Sequence, residues 1–384
     1  MHLTKVKKVA AVCMSVLMLT GCASQTSTNT TTTADSANSS QITDFDLEFH
    51  RGGRDARPEN TLYSYQYALE NGASTIECDM QITSDGVIVL SHNNVLNPDI
   101  TVDENGNRVT GEIYINSLTL EQLRKYNVGN MDKTTEYYQL HGQTQVQVDT
   151  YIPTLRELFD LVKNSGNEQI KFNIEIKSCP DPSAGTKYTK ESDMEVILNK
   201  FYELVCEYNF KDRVFLQSFD WAMLVKMKKI DSSIKTVGLY SEEKSWGTPD
   251  STTLWLDRTE ASPWLAGLNI HDYNDDPVKL AHALSIDMVS PYYTEITKEQ
   301  VTEAHEYGMK VIPWTVNSVD ALKEVLAKGV DGIITDKPWD IREYLLSQNY
   351  VLQPTQTVNQ PYHLDVNHIE VENKKSSNGM DAAY

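Results

Sequence analysis

The chain has 384 residues, 40% hydrophobic and 23% charged, proportions that suit one large domain with a substantial core. Its formal net charge is −20, which excludes holding nucleic acid or an anionic lipid surface by bulk charge. A phosphate-bearing ligand would need a local cationic site.

Lys5, Lys7 and Lys8 precede an apolar run from Val9 to Thr20 that is too short to span a bilayer. The run ends in Leu19-Thr20-Gly21-Cys22, which resembles the bacterial lipobox, where cleavage leaves a cysteine to be lipid-modified. The expectation is a signal peptide over 1–21, a lipid anchor on Cys22 and a Ser/Thr-rich tether over 22–43. These features together predict an extracytoplasmic protein lipid-anchored to the bacterial cell membrane. With Cys13 and Cys22 in this segment, Cys78, Cys179 and Cys206 remain, an odd set without metal-type spacing and best read as buried structural thiols.

From residue 44 to 348, short β-branched runs alternate with helical stretches. Strands are predicted over Phe45–Phe49, Thr75–Met80, Ile170–Ile176, Arg213–Gln217, Lys235–Leu239, Met288–Pro291, Lys310–Thr315 and Gly332–Thr335. Helices are predicted over Thr61–Asn71, Thr154–Asn164, Ser192–Tyr208, Asp220–Lys229, Lys298–Tyr307 and Val319–Lys328. Thr154 with Glu157, and Thr297 with Gln300, form capping boxes that satisfy orphan helix donors. Strand–helix alternation on this scale predicts a parallel (β/α)₈ TIM barrel. Val87–Leu90 reads as an extension pairing beside the second strand, and Gly267–Ile270 as part of an insertion. The excursion from Asn93 to Tyr151 is a long insertion after the second strand, of a length that tends to overhang a site. Residues 349–384 read as a polar tail without fixed structure.

Positions two apart share a strand face. Glu77 and Asp79 therefore point together while Cys78 points away, and Glu175 lies on one face with Lys177. Three carboxylates converging in a partly dry mouth repel one another unless a cation intervenes, and hard oxygen ligands select Ca²⁺ or Mg²⁺. Other histidines, His141 among them, have no supporting neighbours in sequence. His271 with Asp272 and Asp275 reads as a solvated turn.

The ordered set His50-Arg51-Gly52, Pro58-Glu59-Asn60-Thr61, Glu77-Cys78-Asp79 and Ser91-His92 resembles the opening signature of the glycerophosphodiester phosphodiesterase family. Glu175-Ile176-Lys177, Gln217-Ser218-Phe219-Asp220, Trp314-Thr315-Val316-Asn317 and the run Asp331 to Asp336 match its later blocks in order. The resemblance spans Asp46 to Glu343. It implies His50 and His92 as general acid and base, and Glu77, Asp79 and Glu175 as metal ligands. It further implies Arg51 and Lys177 at the phosphate and Trp314 as an aromatic wall. Pro58–Thr61 reads as structural, with Glu59 at most behind the ligands. Many members carry Asp after the second histidine; Asn93 stands there and, being neutral, would orient His92 with less effect on its basicity. The implied reaction is metal-dependent hydrolysis of a small-molecule glycerophosphodiester to glycerol 3-phosphate and an alcohol. A cyclising lyase on the same barrel, and a non-catalytic surface lipoprotein that binds glycerophosphodiesters, are the alternatives.

Overall fold

A computed structural model describes residues 44–181 and 191–358. The expected signal peptide, Cys22, the tether and the tail beyond 358 lie outside the described residues. Eight parallel strands, β1 (Asp46–Phe49), β2 (Thr75–Ile82), β4 (Lys171–Ile176), β5 (Val214–Ser218), β6 (Lys235–Tyr240), β7 (Met288–Pro291), β8 (Lys310–Val311) and β9 (Gly332–Thr335), run in the order β8-β7-β6-β5-β4-β2-β1-β9. Backbone bonds from Asp331 N to Val311 O (3.0 Å), Ile334 N to Pro313 O (2.9 Å) and Val316 N to Ile334 O (2.9 Å) bring β8 against β9 and draw the sheet round into a barrel. The short β3 (Ile88–Leu90) pairs antiparallel to β2, with Met80 opposite Leu90.

The helices follow from local signals. α1 (Leu62–Glu70) starts at a Thr61–Ser64 capping box and α4 (Leu155–Ser165) at the Thr154–Glu157 box. α8 (Lys298–Glu306) starts at the Thr297–Gln300 box. α5 (Glu191–Tyr208), α6 (Trp221–Ile230) and α9 (Val319–Lys328) lie where periodicity predicts them. α7 (Pro277–Ala283) and α10 (Pro338–Ser347) have no counterpart in the predicted elements. Each opens on a proline, whose missing N–H costs nothing in a first turn.

Three sequence expectations need correcting. The strand expected over Lys310–Thr315 is only Lys310–Val311, because Pro313 offers no donor and the chain bends into the pocket wall. Residues 349–358 are not loose: Arg342 donates to Gln353 O at 2.7 Å, Gln356 N to Glu70 O at 3.1 Å, and Val358 is buried in the core. Cys206 is exposed rather than buried; Cys78, Cys179 and Cys206 are all free.

Alternation across the strands sorts the barrel into two environments. Outward residues such as Leu47, Ile76, Cys78, Ile174 and Leu216 are buried beneath the helices in the main core. Inward, the wall made by β5 to β9 is apolar, with Phe215, Val237, Met288, Ile312 and Ile334 packed together. The wall made by β1, β2 and β4 is polar, carrying the buried Glu48, Glu77, Asp79, Asn173 and Glu175. The insertion between β3 and α4 contains the short α2 (Leu120–Leu123) and α3 (Glu136–His141) and has its own small core around Leu96, Ile115, Leu123 and Ile152.

Candidate active site

Parallel strands place their C-terminal ends on one rim, where barrels keep their chemistry. His50 follows β1, Asp79 and Glu175 lie late in β2 and β4, and Trp314 and Asp336 follow β8 and β9. His50, Arg51, Glu77, His92, Glu175, Lys177 and Trp314 all line one cavity of about 400 Å³ at that rim. The sequence-predicted residues are therefore brought together, Asp79 immediately behind them.

Pairing of β2 with β4 sets Asp79 opposite Glu175, and the alternation adds Glu77 on the same inner face. One carboxylate oxygen from each lies within 4.8 Å of the others. Glu77 accepts from Arg51 N at 2.8 Å and from Gln217 Nε2 at 2.7 Å. Asp79 Oδ2 accepts from Asn60 Nδ2 at 2.8 Å, whereas Asp79 Oδ1 is buried beside the Lys177 ammonium. Lys177 Nζ sits 2.8 Å from Glu175 and 3.2 Å from Asp79 Oδ1. Burial, with Asp79 alongside, pushes the Glu77 carboxyl well up. Burial also pushes Glu175 up to about 8, against the pull of Lys177. Asp79 is held well below the usual carboxylate range, because Lys177 and Arg51 outweigh its burial.

Glu59, Glu77, Asp79, Glu175 and Asp336 face Arg51, Arg54 and Lys177, so five carboxylates share three cations, an excess of two negative charges. Two routes relieve that excess: protonation, which the raised Glu77 and Glu175 reflect, or a divalent cation. The all-oxygen set of three converging carboxylates fits a hard divalent ion held by Glu77, Asp79 and Glu175.

The two histidines are oriented differently. His50 Nδ1 lies 2.6 Å from Asp336 Oδ1, which leaves Nε2 toward the cavity, 3.9 Å from Glu77 Oε2. Burial lowers the His50 pKa to about 4 even with Asp336 in contact. His92 Nδ1 lies 2.7 Å from Asn93 Oδ1, a neutral partner. Burial together with Arg51 and Lys177 holds the His92 imidazole well below its usual range. Trp314 is fixed by its indole N–H on Ser290 O at 2.9 Å, and its ring packs against Phe219 (5.5 Å), Trp246 (5.5 Å) and Tyr292 (5.6 Å).

Several groups had no role in the sequence reading. Asp336 is fully buried and holds both His50 and Arg54, the latter at 2.7 Å and 3.0 Å. Asn317 steadies it at 2.7 Å. Gln217 and Asn60 hold the carboxylates from behind. Gln217, Asp336 and Asn60 stood in matched blocks without a role; Gln217 and Asp336 are at strand ends, a position that could have flagged them, and Arg54 carried no signal. His141, expected to lack supporting neighbours, pairs with Asp55 at 2.6 Å. His271 is half-exposed and pairs with Asp275 in its turn.

Residues 50–339 match the model of the glycerophosphoryl diester phosphodiesterase family. The chain belongs to that family. It is thus an enzyme of the phosphodiesterase class. It is 31% identical over 289 residues to a glycerophosphodiester phosphodiesterase of Caldanaerobacter subterraneus subsp. tengcongensis, covering 75% of this chain and 93% of the relative. A glycerophosphodiester phosphodiesterase of Bacillus subtilis is 26% identical over 290 residues, covering 75% of this chain and 82% of the relative. Among solved structures, a protein from Silicibacter pomeroyi assigned as a glycerophosphoryl diester phosphodiesterase superposes with a TM-score of 0.68 at 27% identity, over 81% of this chain and 95% of that one. A phosphodiesterase from Oleispira antarctica, solved with the product sn-glycerol-3-phosphate, shares the fold at a TM-score of 0.55 and 19% identity, over 78% and 96% of the two chains.

Proposed function

We propose that this glycerophosphoryl diester phosphodiesterase family member hydrolyses glycerophosphodiesters to glycerol 3-phosphate and an alcohol, with a divalent cation, Ca²⁺ or Mg²⁺, on Glu77, Asp79 and Glu175. The observation that carries the reading is the excess negative charge around three converging carboxylates in a cavity that also holds both histidines. The product named for the Oleispira antarctica phosphodiesterase supports the substrate class. When bound, the cation supplies Lewis-acid charge for a phosphoryl oxygen.

Arg51 and Lys177 bind the non-bridging oxygens of the diester and stabilise the charge that grows there. Arg51 suits this role because it lines the cavity beside both histidines. The attacking group is the substrate's own glycerol 2-hydroxyl, giving a cyclic phosphate that water then opens. One of His50 and His92 removes the attacking proton and the other protonates the departing alcohol oxygen. Asp336 stabilises positive charge on His50 as it forms, and keeps its Nδ1 protonated so that Nε2 faces the reaction. Trp314 and its neighbouring rings give the glycerol carbons an apolar wall.

The test is glycerol 3-phosphate release from a panel of glycerophosphodiesters, with and without EDTA. Release that EDTA stops and Ca²⁺ or Mg²⁺ restores is expected. His50→Ala, His92→Ala and Glu77→Ala should each cut turnover at least about a hundredfold. Absence of release from every substrate with either ion would reject the reading. For the N-terminal segment we propose lipid attachment at Cys22, holding the enzyme outside the cytoplasm. Metabolic labelling with a fatty acid that persists in Cys22→Ala would refute this.

A further inference from the structure

The segment that carries His50, Arg51 and Arg54 has an unusual backbone. Arg51 (φ +51°), Gly52 (φ +80°) and Gly53 (φ +97°) are consecutive left-handed residues, and Asn60 (φ +52°) closes the same loop. Side chains disfavour that region, so a left-handed arginine persists only where its surroundings over-determine it. The barrel supplies part of the constraint, through Arg51 N on Glu77 and Asn60 N on Arg51 O at 3.1 Å.

The rest comes from the insertion. Val146 N donates to Ala56 O at 3.0 Å, Gln145 Nε2 to Arg54 O at 2.5 Å, and Thr144 Oγ1 to Asp55 O at 2.8 Å. His141 Nδ1 meets Asp55 Oδ1 at 2.6 Å, and the Tyr137 hydroxyl donates to Glu59 Oε2. Three of these contacts take the consecutive carbonyls of Arg54, Asp55 and Ala56, two through side chains and one through a backbone N–H. α3, which carries Tyr137 and His141, buries no residue and exposes Leu140 at 59%. Apolar burial therefore does not explain this helix; its contacts with the loop run through Tyr137 and His141, one turn apart, with rings 4.8 Å from each other.

Glu59 makes the contact consequential. Its Oε2 receives the Tyr137 hydroxyl and also Arg51 Nη1 at 2.9 Å, with Arg54 Nη1 at 3.9 Å. All three donors meet at one oxygen, so the Tyr137 hydroxyl shares Glu59 Oε2 with the two guanidiniums. It fixes where that oxygen rests, and thereby where the Arg51 guanidinium ends.

We propose that Tyr137–Val146 is a clamp built into the insertion, and that Tyr137 is a positioning residue acting through Glu59 on the phosphate-binding Arg51. This rests on the role given to Arg51 under the proposed function. The insertion was expected to overhang the site, but none of residues 93–151 lines the cavity; its duty is to hold the anion-binding loop in shape from outside.

The test is a double-mutant cycle of Tyr137→Phe and Glu59→Gln, read by diester turnover and by the affinity for inorganic phosphate. Tyr137→Phe keeps the ring and removes only the hydroxyl. Phosphate should bind about tenfold more weakly, with the loss carried by KM more than kcat, as expected for one hydrogen bond to a charged group. Glu59→Gln should lose more. The double variant should match Glu59→Gln alone, because the hydroxyl then has no carboxylate to fix. Leu140→Ala, on the exposed side of α3, should leave both readouts unchanged. Additive losses, or phosphate affinity unaltered in Tyr137→Phe, would overturn the clamp while the wild type remains active. A wild type that neither binds phosphate nor cleaves a diester would instead remove the reading beneath it.

Discussion

Replacing Asp336 by Asn tests the electrostatics of the site most directly, because the change keeps shape and removes charge. Asp336 Oδ1 lies 2.6 Å from His50 Nδ1 and 2.7 Å from Arg54 Nε, and Oδ2 takes Arg54 Nη2 at 3.0 Å and Asn317 Nδ2 at 2.7 Å. All four neighbours donate. An amide offers one acceptor atom, so in either orientation its NH₂ faces two donors. If the NH₂ turns to His50, the imidazole must accept at Nδ1 and carry its proton on Nε2, the wrong tautomer for taking a proton from substrate. If it turns the other way, Arg54 keeps a buried charge with half its partners gone. Losing the counter-charge of a buried pair costs about 3–5 kcal/mol. The melting temperature should fall by something on the order of 5–15 °C. Turnover should drop about a thousandfold, which corresponds to roughly 4 kcal/mol of transition-state stabilisation. Differential scanning fluorimetry and steady-state release of glycerol 3-phosphate give both numbers on one preparation. A folded Asp336→Asn variant with kcat/KM within tenfold of wild type would refute the claim that this carboxylate sets His50.

Three further outcomes are expected. Ca²⁺ or Mg²⁺ should raise the melting temperature of EDTA-stripped protein, because it relieves the excess negative charge; the rise should vanish in Glu77→Gln, and no shift in wild type would count against a cation at these carboxylates. Asn93→Asp should move the His92-dependent limb of the pH–rate profile to higher pH, since a carboxylate on Nδ1 favours the imidazolium; an unmoved limb would show that residue 93 does not tune His92. Burial pushes the Glu295 carboxyl up to about 7 against the bonds it accepts from Glu242 N and Ser241 Oγ, so the folded chain binds this proton more tightly than the unfolded one. Stability from this group is therefore present at low pH and lost as pH rises through about 7. Thermal melts from roughly pH 5 to 8 should show a shallower decline in Glu295→Gln than in wild type.

The barrel strands were legible because each is a short apolar run in which position parity says which side chain faces in. The same parity puts Glu77 and Asp79 on one face, and both do point into the barrel. Val87–Leu90 read as an extension of the second strand, and it pairs there. What escaped was held by contacts between residues far apart in sequence. Asp336 lies 286 positions from His50, and Tyr137 lies 78 from Glu59, separations at which periodicity carries no information. His141 looked isolated for the same reason. α7 and α10 were not among the predicted helices; each opens on a proline, which a first turn accommodates. Residues 349–358 looked too polar to pack, yet backbone groups bind them, and backbone chemistry is the same in every sequence.

The two ends of the described chain share a side of the molecule. Asp44, just ahead of β1, pairs with Lys310 at the start of β8. The stretch leading to Val358 crosses Glu70 and Gly72, below the start of β2. Both ends therefore leave from the floor of the barrel, and the cavity opens at the opposite rim. The described chain therefore enters and leaves the barrel on the side away from the cavity mouth, and neither end point crosses the path by which a substrate reaches His50 and His92.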